Sequence, residues 1–118
     1  MPFPSDLERR LPVWHAFSEL FLDTETQPHD YRDIGERLRA SGYPLDELWR
    51  ILEDEVAPIF SSNLLSVAGE WEPWTEAEVE DIMRKSLRWR LGFSPFWWLR
   101  KRMFARHLRE EWAKIPIS

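Results

Sequence analysis

Apolar residues return at helical spacing through most of the chain, and prolines and glycines cut the pattern into segments. Val13, Trp14, Phe17, Leu20 and Phe21 form one stripe with a 3.6-residue period. Pro12 lacks an N–H and biases Leu11 away from helix. This predicts a short turn capped by Ser5-Asp6-Leu7-Glu8, then a separate helix opening at Pro12 and ending near Leu22. Asp23 to Pro28 is a polar loop. Tyr31, Ile34 and Leu38 make the next stripe, which ends at Gly42, where a positive φ costs glycine little. Pro44 then opens a helix with Leu45, Leu48, Trp49, Leu52 and Val56 on one face. Asp46 and Glu47 fall in its first turn, where the helix dipole favours them, and Pro58 is expected to interrupt it.

Residues 58 to 74 are irregular, with short helical turns expected at 58–62 and 64–68. Asn63 is placed to cap the second of these. Thr75-Glu76-Ala77-Glu78 is a capping box, followed by Val79, Ile82, Met83 and Leu87 at helical spacing and a stop near Gly92. Ser94 and Pro95 open a last helix that runs to about Lys114 and ends before Pro116. No segment shows strand alternation, and there is no internal repeat. The expected fold is all-α: a compact, irregular bundle of five or six helices in one domain over residues 1–118.

Composition sharpens this picture. Eight Trp and seven Phe in 118 residues can carry a core with few aliphatic side chains. The absence of cysteine excludes disulfides and thiolate chemistry. The N-terminal stretch lacks the pattern of a secretory signal and no run is long enough to span a membrane, so a cytoplasmic protein without membrane contact is expected. The net charge of −5 is unevenly divided. Residues 1–81 hold 6 basic and 19 acidic side chains, whereas residues 82–118 hold 10 basic and 2 acidic ones. Such a division points to a nucleic-acid surface or to halves that neutralise each other, with the acidic helices from 45 to 81 facing the basic end.

Catalytic and cofactor motifs are missing. His15, His29 and His107 form no spaced ligand set, the four glycines stand apart from one another, and there is no nucleophile elbow. No metal site and no cofactor are expected. Carboxylates are abundant, but a solvated helix face explains most of them; a carboxylate-based enzyme would need one raised and one ordinary pKa in a shared pocket. The stretch FWWLRKRMFARHLREEWAK interleaves basic with aromatic and aliphatic residues. Phe96, Leu99 and Met103 make one stripe, and Trp97, Phe104 and Leu108 a neighbouring one, which favours a helix packed between others. Arg100, Lys101, Arg102, Arg106 and Arg109 are the candidates for phosphate contact if the helix instead binds nucleic acid.

The segments LPVWHAFSELFLDTE, YRDIGERLRASGYPLDELWRILEDEVAPIF and NLLSVAGEWEPW resemble a family of short bacterial proteins of unknown function. That family shows the same order of Pro-Val-Trp, Leu-Phe-Leu-Asp-Thr-Glu, Ser-Gly-Tyr, Glu-Val-Ala-Pro and Ala-Gly-Glu-Trp motifs. The resemblance covers residues 9 to 74 and implies no activity. In its last segment Gly69 permits a tight turn, so that Trp71 and Trp74 can fold back as a plug onto the helix at 13 to 21. The other reading displays GEWEPW as an acidic, aromatic hot spot.

The expectation is a non-enzymatic, acidic protein-binding module. By analogy of size and charge it would be an immunity-type inhibitor of a bacterial toxin. Asp23, Glu25, Glu70 and Glu72 would steer a basic toxin domain and Trp74 would anchor it. Nucleic-acid binding through the C-terminal helix and a carboxylate-based enzyme are the alternatives. The sequence sets no oligomeric state.

Overall fold

Helix α1, Leu7–Ser18, runs through the middle of the molecule, and the other helices are laid around it. The computed structural model describes residues 6–22, 25–61, 63, 72–90 and 102–117. A 3-10 turn, Glu19–Phe21, prolongs α1. Then come α2, Pro28–Ser41, and a continuous rod made of α3, Leu45–Arg50, a π-helical stretch, Ile51–Val56, and α4, Ala57–Phe60. Helix α5, Glu76–Arg90, and helix α6, Ala105–Lys114, complete an all-α bundle with no strand among the described residues. The radius of gyration is 13.5 Å, which matches the value of about 13.5 Å expected for a folded chain of this length.

Val13, Trp14, Ala16 and Phe17 are all buried, so α1 is covered on more than one side: by α2, by the π-helical stretch and by α5. Ile34 and Leu38 of α2, Leu48, Ile51 and Leu52 of the rod, Val79 and Met83 of α5 and Leu108 of α6 meet it in one core. The aromatic load predicted from composition is spent here. Phe17 stacks on Trp112 at 6.3 Å, and Trp112 meets the edge of Trp49 at 5.2 Å.

Two prolines behave differently from the sequence expectation. Pro12 lies inside α1 and starts no new helix. The N-cap is Asp6, whose carbonyl accepts from the Arg9 and Arg10 amides; Ser5 lies outside the described residues. The turn ahead of Pro12 survives because long-range bonds hold it: Arg9 Nε donates to the Ser41 carbonyl at 2.8 Å, and Arg10 Nη1 donates to Glu55 at 2.6 Å. Tertiary contacts thus offset the local bias against helix before proline. Pro58 does not interrupt its rod either. The helix widens ahead of it, and the Ala57 amide reaches back five residues to the Leu52 carbonyl. A π turn of this kind relieves the crowding that a proline ring imposes on the preceding helical turn. It carries Ala57, Pro58, Ile59 and Phe60 into the core, all four buried.

Other helix ends follow their sequence signals. Gly42 closes α2 with φ 76°. Thr75 and Glu78 form a reciprocal capping box, with the Thr75 amide on Glu78 Oε1 at 2.9 Å and the Glu78 amide on Thr75 Oγ1 at 3.1 Å. A second box that the sequence reading missed opens α2: the Gln27 amide donates to Asp30 Oδ2 at 2.8 Å, with Pro28 in the first turn. The expected last helix is broken by a turn at Phe104 before α6, and α6 stops at Lys114. Gly69, Gly92, Ser94, Pro95 and the short turn expected at 64–68 lie outside the described residues. The Asn63 side-chain amide, expected to cap that turn, donates to the Phe21 carbonyl at 2.8 Å and so ties Asn63 to the end of the α1 unit.

Candidate functional site

The polar junction that joins the segment before α5 to the helical core is built on His15. Its position on α1, between core residues Trp14 and Ala16, places the imidazole at the core margin with 20% of its side chain exposed. Arg37 of α2 donates from Nη2 to His15 Nδ1 at 2.7 Å, and His15 Nε2 lies 2.6 Å from the Trp74 carbonyl. A guanidinium can only donate and a carbonyl can only accept. The two bonds are made together by the tautomer whose proton sits on Nε2. Arg37 is held in turn by Glu19 at 2.8 Å and Asp33 at 3.2 Å, and Glu76 Oε2 stands 4.0 Å from His15 Nδ1. Asp33 and Glu76 are exposed, so acidic side chains from two helices meet this histidine and arginine; Glu72 is exposed two residues before Trp74 in sequence.

Trp74 itself is half-buried. Its ring meets the edge of Phe60 at 5.0 Å and packs against the core. The plug reading puts this indole on the helix at 13 to 21; the ring contact is with α4, and it is the Trp74 carbonyl that meets His15 of that helix. Trp71, the other indole of that reading, lies outside the described residues. Of the four acidic candidates, Glu25 is exposed in the link before α2 and Glu72 is exposed beside Trp74; Asp23 and Glu70 lie outside the described residues.

A second polar cluster ties the start of α1 to the rod. Arg10 bonds Asp6 at 3.1 Å and Glu55 at 2.6 Å, and Glu55 also accepts the Trp14 indole N–H at 2.8 Å. Hydrogen bonds from Arg10 and then from Tyr43 hold the Asp6 carboxyl below its ordinary value of 3.8, although burial opposes them. Burial works against the Arg10 cation, but the bonds to Asp6 and Glu55 outweigh it and raise its pKa. Burial, then the bond to Asp6, pushes the Tyr43 phenol up to about 12. A third cluster docks α6 on α2. The Tyr31 hydroxyl donates to the buried Glu111 carboxylate at 2.6 Å, and Lys114 lies 3.4 Å from the same carboxylate. Burial, then this bond, pushes Tyr31 up to about 12.

The basic C-terminal candidates divide. Arg102, Arg106 and Arg109 are exposed, while Arg100 and Lys101 lie outside the described residues. Arg106 and Lys114 pair with Glu110 and Glu111 of their own helix, and Arg84 and Lys85 pair with Glu80 and Asp81 of theirs. These pairs neutralise charge within helices. Leu108 is buried and Phe104 half-buried, whereas Met103 is 60% exposed. Trp112, the aromatic best placed to accompany the arginines, is committed to Phe17 and Trp49.

Among the described residues no group of three or more metal-ligating side chains comes together, and no helix is long and apolar enough to cross a membrane. The sequence reading did not find the His15–Arg37–Trp74 node or the buried Glu111. The available signals were a histidine within an apolar helix stripe and a glutamate one helical turn beyond Leu108.

A domain of unknown function (DUF7079) matches the chain over residues 8–116. The chain belongs to this family. The DUF7079 match extends past the motifs of the first 74 residues to include the Trp- and Arg-rich end. Neither a curated protein nor a solved structure matches the chain.

Proposed function

We propose that this DUF7079 protein is a non-catalytic, acidic protein-binding module acting in the bacterial cytoplasm, and that its partner is a basic protein domain of the kind found in toxins, which it blocks as an immunity-type inhibitor. The observation that supports this reading is the acidic rim around His15: Asp33 and Glu76 are exposed there, the Trp74 carbonyl meets the same ring, and the half-buried Trp74 indole is packed on Phe60, with Glu72 exposed two residues before it in sequence. Charges on such a rim accelerate encounter with a positive partner, and an aromatic already held by packing lowers the ordering cost of docking. Glu25, exposed in the link before α2, and Asp23 and Glu70 are the further candidates for the acidic surface. Affinity capture from the native cell, followed by association kinetics at several salt concentrations, tests the proposal. The expected result is a stoichiometric basic protein whose on-rate falls about tenfold or more from low to moderate salt and falls again for Glu72→Lys. A partner bound at a salt-independent rate would remove the steering mechanism. Retention of nucleic acid alone would move the functional surface to Arg102, Arg106 and Arg109.

A further inference from the structure

The three residues that follow α6 sit on α2 as a bound peptide would. Ile115 is buried in an extended conformation, Ile117 packs against the core, and the exposed Pro116 between them crosses the helix at Gly35. A Cβ at Gly35 would lie 3.0 Å from the Pro116 carbonyl oxygen, so the bare glycine is what admits the proline. Arg39, one helical turn further on, donates to the same carbonyl. The donors of the segment are met close by. The Ile115 amide bonds the Trp112 carbonyl at 3.1 Å, Pro116 has no N–H, and the Ile117 amide closes a tight turn on the Ile115 carbonyl at 2.9 Å. What the seat reads is two apolar side chains, a proline laid on a glycine and one carbonyl held by a guanidinium. None of these contacts requires that the segment be joined to α6.

We propose that this seat is a docking groove for a short apolar-Pro-apolar segment of a partner protein, with residues 115–117 as its tethered occupant. Helix α6 keeps its own anchors when these residues lift: Leu108 is buried, Trp112 stacks on Phe17, and Tyr31 donates to Glu111. The burial of Ile115, the partial burial of Ile117 and the Arg39 bond oppose the lifting, so it is a local opening that costs less than unfolding. An incoming segment of the same pattern regains each of these contacts. Its proline arrives with φ already fixed, which lowers the ordering cost. The tethered residues compete at an effective concentration of about millimolar, and so act as a built-in inhibitor of the groove. At about 3.6 residues per turn, Gly35 and Arg39 stand about 200° around α2 from Asp33 and Arg37. The groove is therefore separate from the acidic rim, and neither proposal depends on the other.

The probe is a blocked synthetic peptide, Ala-Lys-Ile-Pro-Ile, titrated into the isotopically labelled full chain while the amide signals of residues 31–39 are followed by nuclear magnetic resonance. Ile115→Ser loosens the tethered segment and leaves α2 unchanged. The expected result is saturable shifts in this variant at about millimolar peptide, with binding to the parent at least about tenfold weaker because its own segment competes. Adding Gly35→Ala to the variant should weaken the binding about tenfold, since the new methyl meets the proline carbonyl. A control peptide, Ala-Lys-Ser-Pro-Ser, should bind neither chain. Pro116→Ser, a change at an exposed position, takes the place of Ile115→Ser if that variant loses its helical circular dichroism. No saturable shift in a folded variant, equal affinity for parent and variant, binding unchanged by Gly35→Ala, or binding of the control would each overturn the proposal. A parent that sediments as a dimer, with the dimer lost in Ile115→Ser, would give the groove to a second copy and overturn the partner assignment.

Discussion

Trp14 and Glu55, 41 residues apart, share a hydrogen bond of 2.8 Å that ties the centre of α1 to the π-helical part of the rod. The other oxygen of Glu55 takes Arg10 at 2.6 Å, and the Glu55 side chain is only 20% exposed. One carboxylate thus satisfies a buried indole N–H and a largely buried cation. Removing it takes this acceptor from the Trp14 indole and one of its carboxylates from Arg10, which keeps Asp6 at 3.1 Å; losing a partner of a largely buried cation costs more than the pair itself contributes to stability. Glu55→Ala should therefore lower unfolding stability by about 2–4 kcal/mol in urea titrations. The double variant Arg10→Met/Glu55→Leu should recover part of the loss, since it removes the largely buried cation together with its carboxylate and leaves only Asp6 to be solvated. Equal losses in both would show that shape, and not desolvated charge, sets the cost.

The two tyrosines are the only phenols in the chain, and both are pushed up to about 12, each mainly by burial and next by its bond to a carboxylate. Their ordinary value is 10.0. A folded-state pKa above the unfolded one means that the native state holds the proton longer. The corresponding stability is fully present below pH 10 and is lost as pH rises towards 12. An ultraviolet titration of tyrosinate should show no step near 10 in the native protein. A single step near 12, coincident with loss of helical circular dichroism, is expected. A distinct step at 10 would place at least one phenol in solvent.

Local signals in this chain were legible wherever a helix end depends on residues three or four apart. The Tyr31, Ile34 and Leu38 stripe with its Gly42 stop and the Thr75–Glu78 box both lie where the sequence places them. Local rules mislead at the two prolines for different reasons: distant partners hold the turn ahead of Pro12, and a wider backbone turn accommodates Pro58. Arg9 reaches Ser41 and Arg10 reaches Glu55 ahead of Pro12, while the helix ahead of Pro58 changes its hydrogen-bond spacing. Of the candidate site, the exposure of Glu25 and Glu72 follows from polarity alone. The His15 node does not, because Arg37 and Trp74 are 22 and 59 residues away and no pattern of residue types records which pairs meet.

Asp6 carries the acid counterpart of the tyrosine argument. Arg10 and then Tyr43 bond its carboxylate and lower its pKa from 3.8. A lowered folded-state value contributes stability above the unfolded pKa, lost as pH falls through the folded one. Its side chain is 37% exposed, so solvent screens much of the effect. Asp6→Asn should be less stable than the parent at about pH 6, and the gap should narrow as pH falls through the lowered folded-state value and the carboxyl takes up its proton. Urea midpoints at a series of pH values check this; a gap that is independent of pH would mean that the contact is packing and not charge.

Gly35 sits in the middle of α2, where alanine would ordinarily add up to about 1 kcal/mol of helix stability. Here a Cβ would lie 3.0 Å from the Pro116 carbonyl oxygen and 3.4 Å from its ring. The segment after α6 crosses the helix at this point, held by buried Ile115 and by Arg39 donating to the Pro116 carbonyl. For the new methyl to fit, that segment has to lift, which strains the Arg39 bond and the packing of Ile115. In the full chain Gly35→Ala should therefore be destabilising by about 1–2 kcal/mol, within the range for overpacking. In a chain cut after Lys114 the obstacle is gone, and the same substitution should stabilise by about 0.5–1 kcal/mol relative to its own truncated parent. Comparing urea midpoints within each background isolates the sign. If alanine stabilises both chains, the crossing segment yields freely and Gly35 is not required for its docking.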